Sequence, residues 1–427
     1  MLLALQIVTS YRYSLFPSVP PIDNALRIRW EIGLLAALAF VIPLFEASKN
    51  ILWFGYLALW LFNRIRDKDF GGTWNRWDTL FLIVIVSPFI GSLFAGIRAN
   101  EWGGARDVAR YGLLGWALSR TRYDEPAWRR IAVMAVAGVL AGLLLAWWAL
   151  YAGKKVELEL HSVGHVNHSA AYLVITLGVV LAMLFGRWRE SKSGEKLSKV
   201  LVIGVLGAAI VYTASRIAVG VAALLLFGSA ALFIRRSCKP LLVVLLIFAV
   251  GAVIAKFEPP QVIQKHWRDV TQHNFLAYRD LIWERAWVAW REFPVFGVGA
   301  DNFSQIDSNR YKTWHEHQGR RYEPARDFGT SHAHSLYFNT LAERGLLGLL
   351  ALGLLLTGWG CSLWRRRPRD DVVLQGTVWL ASLGGWVTIM VIGLFNTILQ
   401  TENALFAMLL LGAWLGVSDK PKSQSTT

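Results

Sequence analysis

The sequence predicts an all-α protein that crosses a membrane many times. Of its 427 residues, 55% are hydrophobic and only 17% are charged, whereas a soluble domain of this size carries roughly a quarter charged residues. Segments such as 77–97, 131–150 and 241–255 are apolar over most or all of the roughly 20 residues that a helix needs to cross a bilayer. One long polar segment, residues 257–333, interrupts this pattern.

Hydropathy predicts about twelve crossings. The fourth is the weakest, because Arg106, Asp107 and Arg110 lie near its start. The twelve lie near residues 28–46, 50–63, 77–97, 105–119, 129–151, 167–186, 198–213, 217–234, 240–256, 334–362, 372–397 and 402–417.

Basic residues mark alternate connectors and predict the orientation. The net charge of +15 arises from short connectors rather than from one stripe, so nucleic acid is not an expected partner. By the positive-inside rule both termini are cytoplasmic, and residues 257–333 form one large outward-facing loop. The basic connectors lie near residues 64–68, 120–130, 187–199, 235–239, 365–369 and 420–422.

This topology divides the chain into four parts. Residues 1–256 hold transmembrane helices 1–9, residues 257–333 form the outer loop, residues 334–418 hold helices 10–12, and residues 419–427 are a cytoplasmic tail. The outer loop is expected to contain amphipathic helices, because residues 275–293 place Trp283, Trp287 and Trp290 at helical spacing. Tryptophan favours the membrane interface. Residues 301–330 are expected to be irregular.

His334 is the first candidate for chemistry, since it lies where the polar loop meets an apolar helix. A neutral imidazole there could accept a proton from a hydroxyl group. The alternative is a histidine that hydrogen-bonds the backbone at the helix start. His332 and His334 form a His-x-His pair, as do His315 and His317. Neither pair has an accompanying cysteine or carboxylate at a familiar spacing, so no metal is expected.

Three arginines could bind an anion. Arg216 lies between two apolar segments that have almost no connector, and its planar fork suits phosphate oxygens, although it could also reach the lipid headgroups. Arg279 and Arg285, on the amphipathic helix, could bind the same anion, pair with local acids, or anchor the helix. Glu343, deeper in the helix after His334, could orient other polar groups or pair with Arg344.

Taken in order, these motifs resemble the O-antigen ligase and polymerase superfamily of bacterial envelope enzymes. Asn167, which opens the sixth crossing, matches an asparagine that the family favours there. Ser335 departs from the asparagine that usually follows the motif histidine. The motifs are residues 213–216 (TASR), 279–283 (RDLIW), 293–299 (FPVFGVG) and 334–348 (HSLYFNTLAERGLLG).

The single large loop and modest length look most like the ligase of this superfamily. The resemblance implies a membrane fold of the GT-C type in the Gram-negative inner membrane, with its active site on the periplasmic side. It further implies an inverting transfer of O-antigen from undecaprenyl diphosphate to lipid A–core, without metal, nucleotide or other cofactor. Membrane lipids would surround both substrates.

The same resemblance assigns roles to individual residues. His334 would be the general base, and Arg216 and Arg279 would bind the diphosphate, while Asn167, Arg285, His332 and Glu343 would support the site. An O-antigen polymerase and a protein O-oligosaccharyltransferase share these motifs and remain alternatives. A transporter or flippase is the alternative from another class, for which broken helices and midplane charges are expected.

Overall fold

A computed structural model describes residues 24–155, 157–188, 190–234, 278–368 and 373–418. Within these ranges the chain is all-helical, as the composition predicts, with two short 3-10 helices at Phe303–Gln305 and Pro324–Arg326 and no strand. The α-helices are α1 (Asn24–Val41), α2 (Glu46–Asp67), α3 (Arg76–Leu93), α4 (Glu101–Ser119), α5 (Glu125–Tyr151), α6 (Val166–Phe185), α7 (Ser193–Tyr212), α8 (Arg216–Ile234), α9 (Arg279–Glu292), α10 (Ser308–His317), α11 (Leu336–Arg365), α12 (Val373–Ile392) and α13 (Thr401–Ser418).

Eleven of the predicted crossings coincide with helices of this bundle, α1 to α8 and α11 to α13. The ninth, near residues 240–256, lies outside the described residues, as do the start of the outer loop and the tail 419–427. Six of the described helices, α3, α5, α6, α11, α12 and α13, are long and apolar enough to cross a membrane. The protein is therefore a multi-pass membrane protein, and the total of about twelve crossings stays a prediction.

Helices α6 and α13 form the centre of the bundle. In each, 89% of the membrane-length window is buried inside the protein. Helix α6 packs against α12, where Gly178 lies so close to Gly384 that a methyl group on either glycine would contact the backbone of the other. Small residues permit such close helix approach in membranes. This centre positions the loops that precede α6 and α13.

Several connections lie at the same end of the bundle, because backbone hydrogen bonds join them or the residues beside them. The Leu158 amide donates to the Tyr212 carbonyl at 3.2 Å, the Leu336 amide to the Gly393 carbonyl at 2.8 Å, and the Ser162 amide to the Pro43 carbonyl at 3.4 Å. The basic connectors that the structure describes lie at the other end, where Arg120 donates to the Gly72 carbonyl and Arg187 pairs with Glu125. The connections that share the first end are residues 42–45, 94–100, 152–165, 213–215, 278–335 and 393–400.

Helix α11 is broken at Gly345, where the sequence predicts one continuous crossing. Gly345 has φ 59° and ψ −158°, a conformation that favours glycine. Residues 294–299 run along the break and form four backbone hydrogen bonds with residues 342–347. A Cβ atom at Gly345 would lie 2.4 Å from the Val295 carbonyl, and one at Gly297 (φ 74°) would lie 2.4 Å from the Glu343 carbonyl carbon. The close crossing of these two backbone segments therefore explains why both positions are glycine.

The outer segment has a small core of its own, centred on α9. Ile282 and Ala286 of α9 pack with Phe303, Tyr311 and Trp314. The expectation that residues 301–330 are irregular is wrong for Ser308–His317, which form α10. Its start is stabilised by the Asp307 side chain, which accepts a hydrogen bond from the Arg310 amide at 2.7 Å. Burial of Tyr311 and Trp314 against α9 then favours the helix.

Candidate functional site

A cavity of about 610 Å³ lies at the end of the bundle where the outer segment meets the helices. Its walls come from α4, the connection before α6, residues 330–344, and the connection between α12 and α13. Four histidines line it, together with Asn167, Glu343, Arg344 and Asn396 and the carboxylates Asp107 and Asp301. The cavity is therefore polar, although α6, α11 and α13, which contribute to its walls, are apolar enough to cross a membrane.

The four histidines are His165, His168, His332 and His334. Their ring centroids are 6.4 Å apart between His165 and His334, and 6.3 Å apart between His168 and His332. His165 begins α6 and accepts a hydrogen bond from the Asn167 amide at Nδ1, over 3.2 Å. Two segments far apart in sequence therefore form one imidazole-rich wall.

His334 has a strained backbone, with φ 47°. Few residues other than glycine adopt this conformation, and it occurs preferentially at functional sites. The start of α11 is capped by Ser335, whose hydroxyl accepts from the Phe338 amide at 3.4 Å. Serine and asparagine are both good N-caps, so the departure from the family motif at position 335 preserves this contact. The His334 ring is not the cap, and it faces the cavity instead.

His334 is a neutral base at physiological pH. Burial, reinforced by the cation of Arg279 and then by His165 and His332, lowers its pKa to about 4. Burial and His165 also lower the pKa of His332. A neutral imidazole has a nitrogen lone pair that can accept a proton.

Arg279 lies beside this histidine and Arg216 lies near Arg279, and neither arginine is part of the cavity wall. The Arg279 Nε donates to the Phe395 carbonyl at 3.1 Å, which fixes the guanidinium next to the connection after α12. Burial lowers the pKa of Arg279, and the nearby cation of Arg216 lowers it further. Arg216 begins α8 after Ala214, which has φ 57°. Its buried Nη1 has no hydrogen-bond partner within the described ranges. Two neighbouring cations of this kind favour an anion between them.

The other predicted site residues divide between the cavity and the outer core. Asn167, His332 and Glu343 line the cavity. Glu343 also accepts from the Phe303 amide at 3.3 Å, so it holds the outer segment in place. Arg285 is elsewhere: it is buried, forms an ion pair with Asp327 at 3.2 Å and lies over the Tyr311 ring. The structure thus places Arg285 in the outer core and not at the cavity.

Several cavity residues were missed by sequence reasoning. His165 and His168 form a His-x-x-His pattern just before the apolar run of α6, and that position was a usable signal. Asn396 is only 1% exposed, yet neither atom of its amide has a partner among the described residues. Burial, together with nearby Asp107, raises the pKa of Asp301. Nothing in the local pattern distinguishes Asn396 or Asp301 from ordinary loop residues.

The arrangement offers a base, two cations and several hydrogen-bonding groups. In the part of the chain that the structure describes, no group of three or more histidine, cysteine, aspartate or glutamate side chains is arranged to hold a metal ion. The groups present can bind an anion beside His334 and accept a proton from a hydroxyl. This chemistry suits transfer of a group from a phosphate leaving group.

Comparison with known families connects this site to the motifs in the sequence. The comparison with curated proteins gives no match. Residues 166–353 match the model of the O-antigen ligase family. The matched range includes His334, Arg216 and Arg279 and ends within α11. The resemblance is therefore confirmed over residues 166–353, the segment that matches the O-antigen ligase family.

Proposed function

We propose that this protein is the ligase of its superfamily. It transfers O-antigen polysaccharide from undecaprenyl diphosphate to lipid A–core on the periplasmic side of the inner membrane, and so completes lipopolysaccharide. The family match supports a glycosyltransferase-like enzyme of this kind. The basic connectors lie at the end opposite the cavity, which favours a periplasmic cavity under the positive-inside rule.

One observation carries the proposal: a neutral His334 faces a polar cavity, Arg279 holds positive charge beside the histidine, and Arg216 adds a second cation near Arg279. The leaving diphosphate needs charge stabilisation, and the acceptor hydroxyl needs a base. Both requirements are met within one short region. A cavity of about 610 Å³ is large enough for sugar residues of the two substrates to meet.

The reaction follows from this geometry. The oxygen of an acceptor hydroxyl attacks the anomeric carbon of the donor's first sugar, and its proton moves to a ring nitrogen of His334. The bond between the anomeric carbon and the diphosphate oxygen breaks, and the diphosphate leaves with the electron pair. Arg279 and Arg216 stabilise the negative charge that develops on it. Attack from the side opposite the diphosphate inverts the anomeric configuration.

Donor binding would also strengthen the base. The cation of Arg279 contributes to the low pKa of His334. A diphosphate bound at Arg279 brings negative charge to the same place and thus raises that pKa towards its ordinary value. His334 would therefore become an effective proton acceptor only when the donor is in position. Asn167 and His332 line the cavity and would contact the substrates, whereas Glu343 would position the outer segment.

The break in α11 bears on the transporter alternative, since broken helices are also a feature of transporters. Here residues 294–299 of the same chain pair with the backbone groups at the break. Buried charges such as Lys49 and Glu402 pair with each other. The break is therefore filled by protein, which favours transfer chemistry over transport.

The decisive experiment is reconstitution of the purified protein with a lipid-linked O-antigen donor in two separate reactions. One contains lipid A–core, and the other contains only further lipid-linked glycan. We expect transfer to lipid A–core alone. Elongation of the lipid-linked glycan would identify a polymerase, transfer to a protein acceptor would identify an O-oligosaccharyltransferase, and movement of lipid without transfer would identify a flippase.

A further inference from the structure

The connection between α12 and α13 contains a buried side-chain amide, that of Asn396, to which the proposed reaction assigns no role. Asn396 lines the cavity and is 1% exposed. Within the described residues, its Oδ1 and its Nδ2 both have no hydrogen-bond partner. Buried amides are almost always paired, because an unpaired one loses its bonds to water and gains none in return. An unpaired amide in a cavity wall therefore indicates a ligand that supplies both bonds.

The neighbours of Asn396 in the sequence point to the ligand that its amide would bind. Its neighbour Phe395 accepts the hydrogen bond from Arg279. On the other side, Thr397 Oγ1 donates to the Ser335 carbonyl at 3.5 Å, directly after His334. Asn396 is thus held between the cation that would bind the diphosphate and the base that would activate the hydroxyl. In the transfer reaction, the first sugar of the donor occupies that interval together with the attacking hydroxyl of the acceptor.

The chemistry of the amide agrees with a sugar. The Oδ1 atom accepts a hydrogen bond and the Nδ2 atom donates. A ligand that satisfies both atoms must present a donor and an acceptor side by side, as neighbouring hydroxyls or an acetamido group do. A phosphate offers acceptors only, and it would leave Oδ1 unpaired. The cations of Arg216 and Arg279 already suit the phosphates.

We propose that Asn396 binds the first sugar of the lipid-linked donor and sets the specificity of the enzyme for that sugar. The inference rests on the proposed transferase function. It adds a positioning contact that holds the anomeric carbon between Arg279 and His334.

The test compares two lipids on full-length protein in detergent: bare undecaprenyl diphosphate, and undecaprenyl diphosphate that carries one N-acetylhexosamine. Binding is measured for the wild type, Asn396→Leu and Asn396→Ala. We expect the wild type to prefer the sugar-bearing lipid. Both variants should bind that lipid about tenfold more weakly, about 1.4 kcal/mol, and should bind the bare lipid as the wild type does.

Thermal unfolding without ligand supplies the control for a structural role. Replacement of an unpaired amide by an apolar side chain of similar size should leave the unfolding temperature unchanged or raise it. Asn63 is the matched control, since it is equally buried but both its amide atoms are bonded, to Arg27 and to Glu31. Asn63→Leu should lower the unfolding temperature and keep the preference for the sugar-bearing lipid.

Three results would overturn the inference. Unchanged binding of the sugar-bearing lipid by the variants would show that the amide does not contact the donor. An equal loss of affinity for both lipids would show that the amide does not recognise the sugar. An unfolding temperature lowered in Asn396→Leu as in Asn63→Leu would identify a structural role. If the wild type binds neither lipid, the proposed function itself fails, and that result is distinct from the other three.

Discussion

Two sets of buried polar side chains differ in how completely they are paired. At the end with the basic connectors, Asp78 and Arg120 form a closed network: Arg120 donates to Asp78 and to the carbonyls of Gly72 and Thr73, and Trp116 donates to Asp78 at 2.8 Å. At the cavity end, Asn396, Nδ1 of His332 and Nη1 of Arg216 have no partner among the described residues.

From this difference we expect the paired side chains to stabilise the fold and the unpaired side chains to bind a ligand. A closed network stabilises the fold, and loss of one member leaves the others buried and unpaired. The unpaired side chains at the cavity end form an open set. Each unpaired group costs about 1 to 3 kcal/mol of folding free energy unless a ligand supplies the missing hydrogen bonds. The protein tolerates that cost at the cavity and avoids it at Asp78. Variants of the closed set should therefore affect stability, and variants of the open set should affect catalysis.

The largest effect is expected at His334. His334→Ala removes the proposed base and should lower the rate of transfer by a factor of about 10² to 10⁴, as measured by turnover of lipid-linked donor. His334→Gly is the informative partner, because glycine adopts φ 47° without strain. It should be at least as stable as the wild type in thermal unfolding, yet equally inactive. Normal transfer by either variant would exclude His334 as the base.

The matching change in the closed network is Asp78→Ala. It leaves the Arg120 cation buried without its partner and should lower the free energy of unfolding by about 3 to 5 kcal/mol. Denaturant or thermal unfolding in detergent measures this loss, and activity per folded molecule should persist. The exposed Asp69→Ala, which removes one bond to the Gly71 amide, should cost at most about 1 kcal/mol. Equal losses for the two variants would contradict the comparison.

A smaller effect is expected when Arg216, a cation of the open set, is replaced by a residue that has the same charge but a different geometry. Arg216→Lys replaces a planar fork, which can bind two phosphate oxygens, by a point charge. The KM for the lipid-linked donor should rise about tenfold, which corresponds to about 1.4 kcal/mol, while the unfolding temperature stays the same. Steady-state kinetics with the purified variant provide the measurement, and wild-type kinetics would argue against a diphosphate contact.

The subtlest effect concerns pH. His334 must be neutral to act, so activity falls as the pH drops through its pKa, which burial and Arg279 lower to about 4 in the free enzyme. A bound diphosphate should raise this pKa, so the acid limb of kcat should lie at higher pH than that of kcat/KM. Arg279→Gln removes one cause of the low pKa and should move the limb of kcat/KM to higher pH. Coincident limbs in the wild type would refute the coupling.

The fold was largely predictable because most of the predicted crossings are continuous apolar runs. Eleven predicted crossings fall on helices, since hydropathy reports the bilayer directly. The break at Gly345 was not predictable, because the segment that forms hydrogen bonds with the backbone at the break lies about 50 residues earlier in the sequence. Helix α10 was missed because its periodicity is masked by charged residues, and only its contacts with α9 reveal the buried face.

The site was predictable where a motif surrounds the residue. His334, Arg216 and Arg279 lie in family motifs, whereas Asn396 and Asp301 lie in connections with ordinary loop composition. For Arg285 the sequence left open anion binding, pairing with acidic residues and anchoring of the helix, and the structure shows a pair with Asp327. A sequence shows which residue types are present, but burial and pairing depend on contacts between distant segments.

The pairing of residues 294–299 with the break in α11 has a consequence for how such enzymes diverge. Apart from Gly297 and Gly345, which the close crossing requires, these main-chain hydrogen bonds do not depend on side-chain identity. The outer segment can therefore keep its position while the residues that face the cavity change. In the proposed transferase, new glycan specificities would then arise by point substitution without a new fold. An engineered exchange of the outer segment between relatives should move residues 294–299 together with residues 342–347, because each provides the hydrogen bonds that the other lacks.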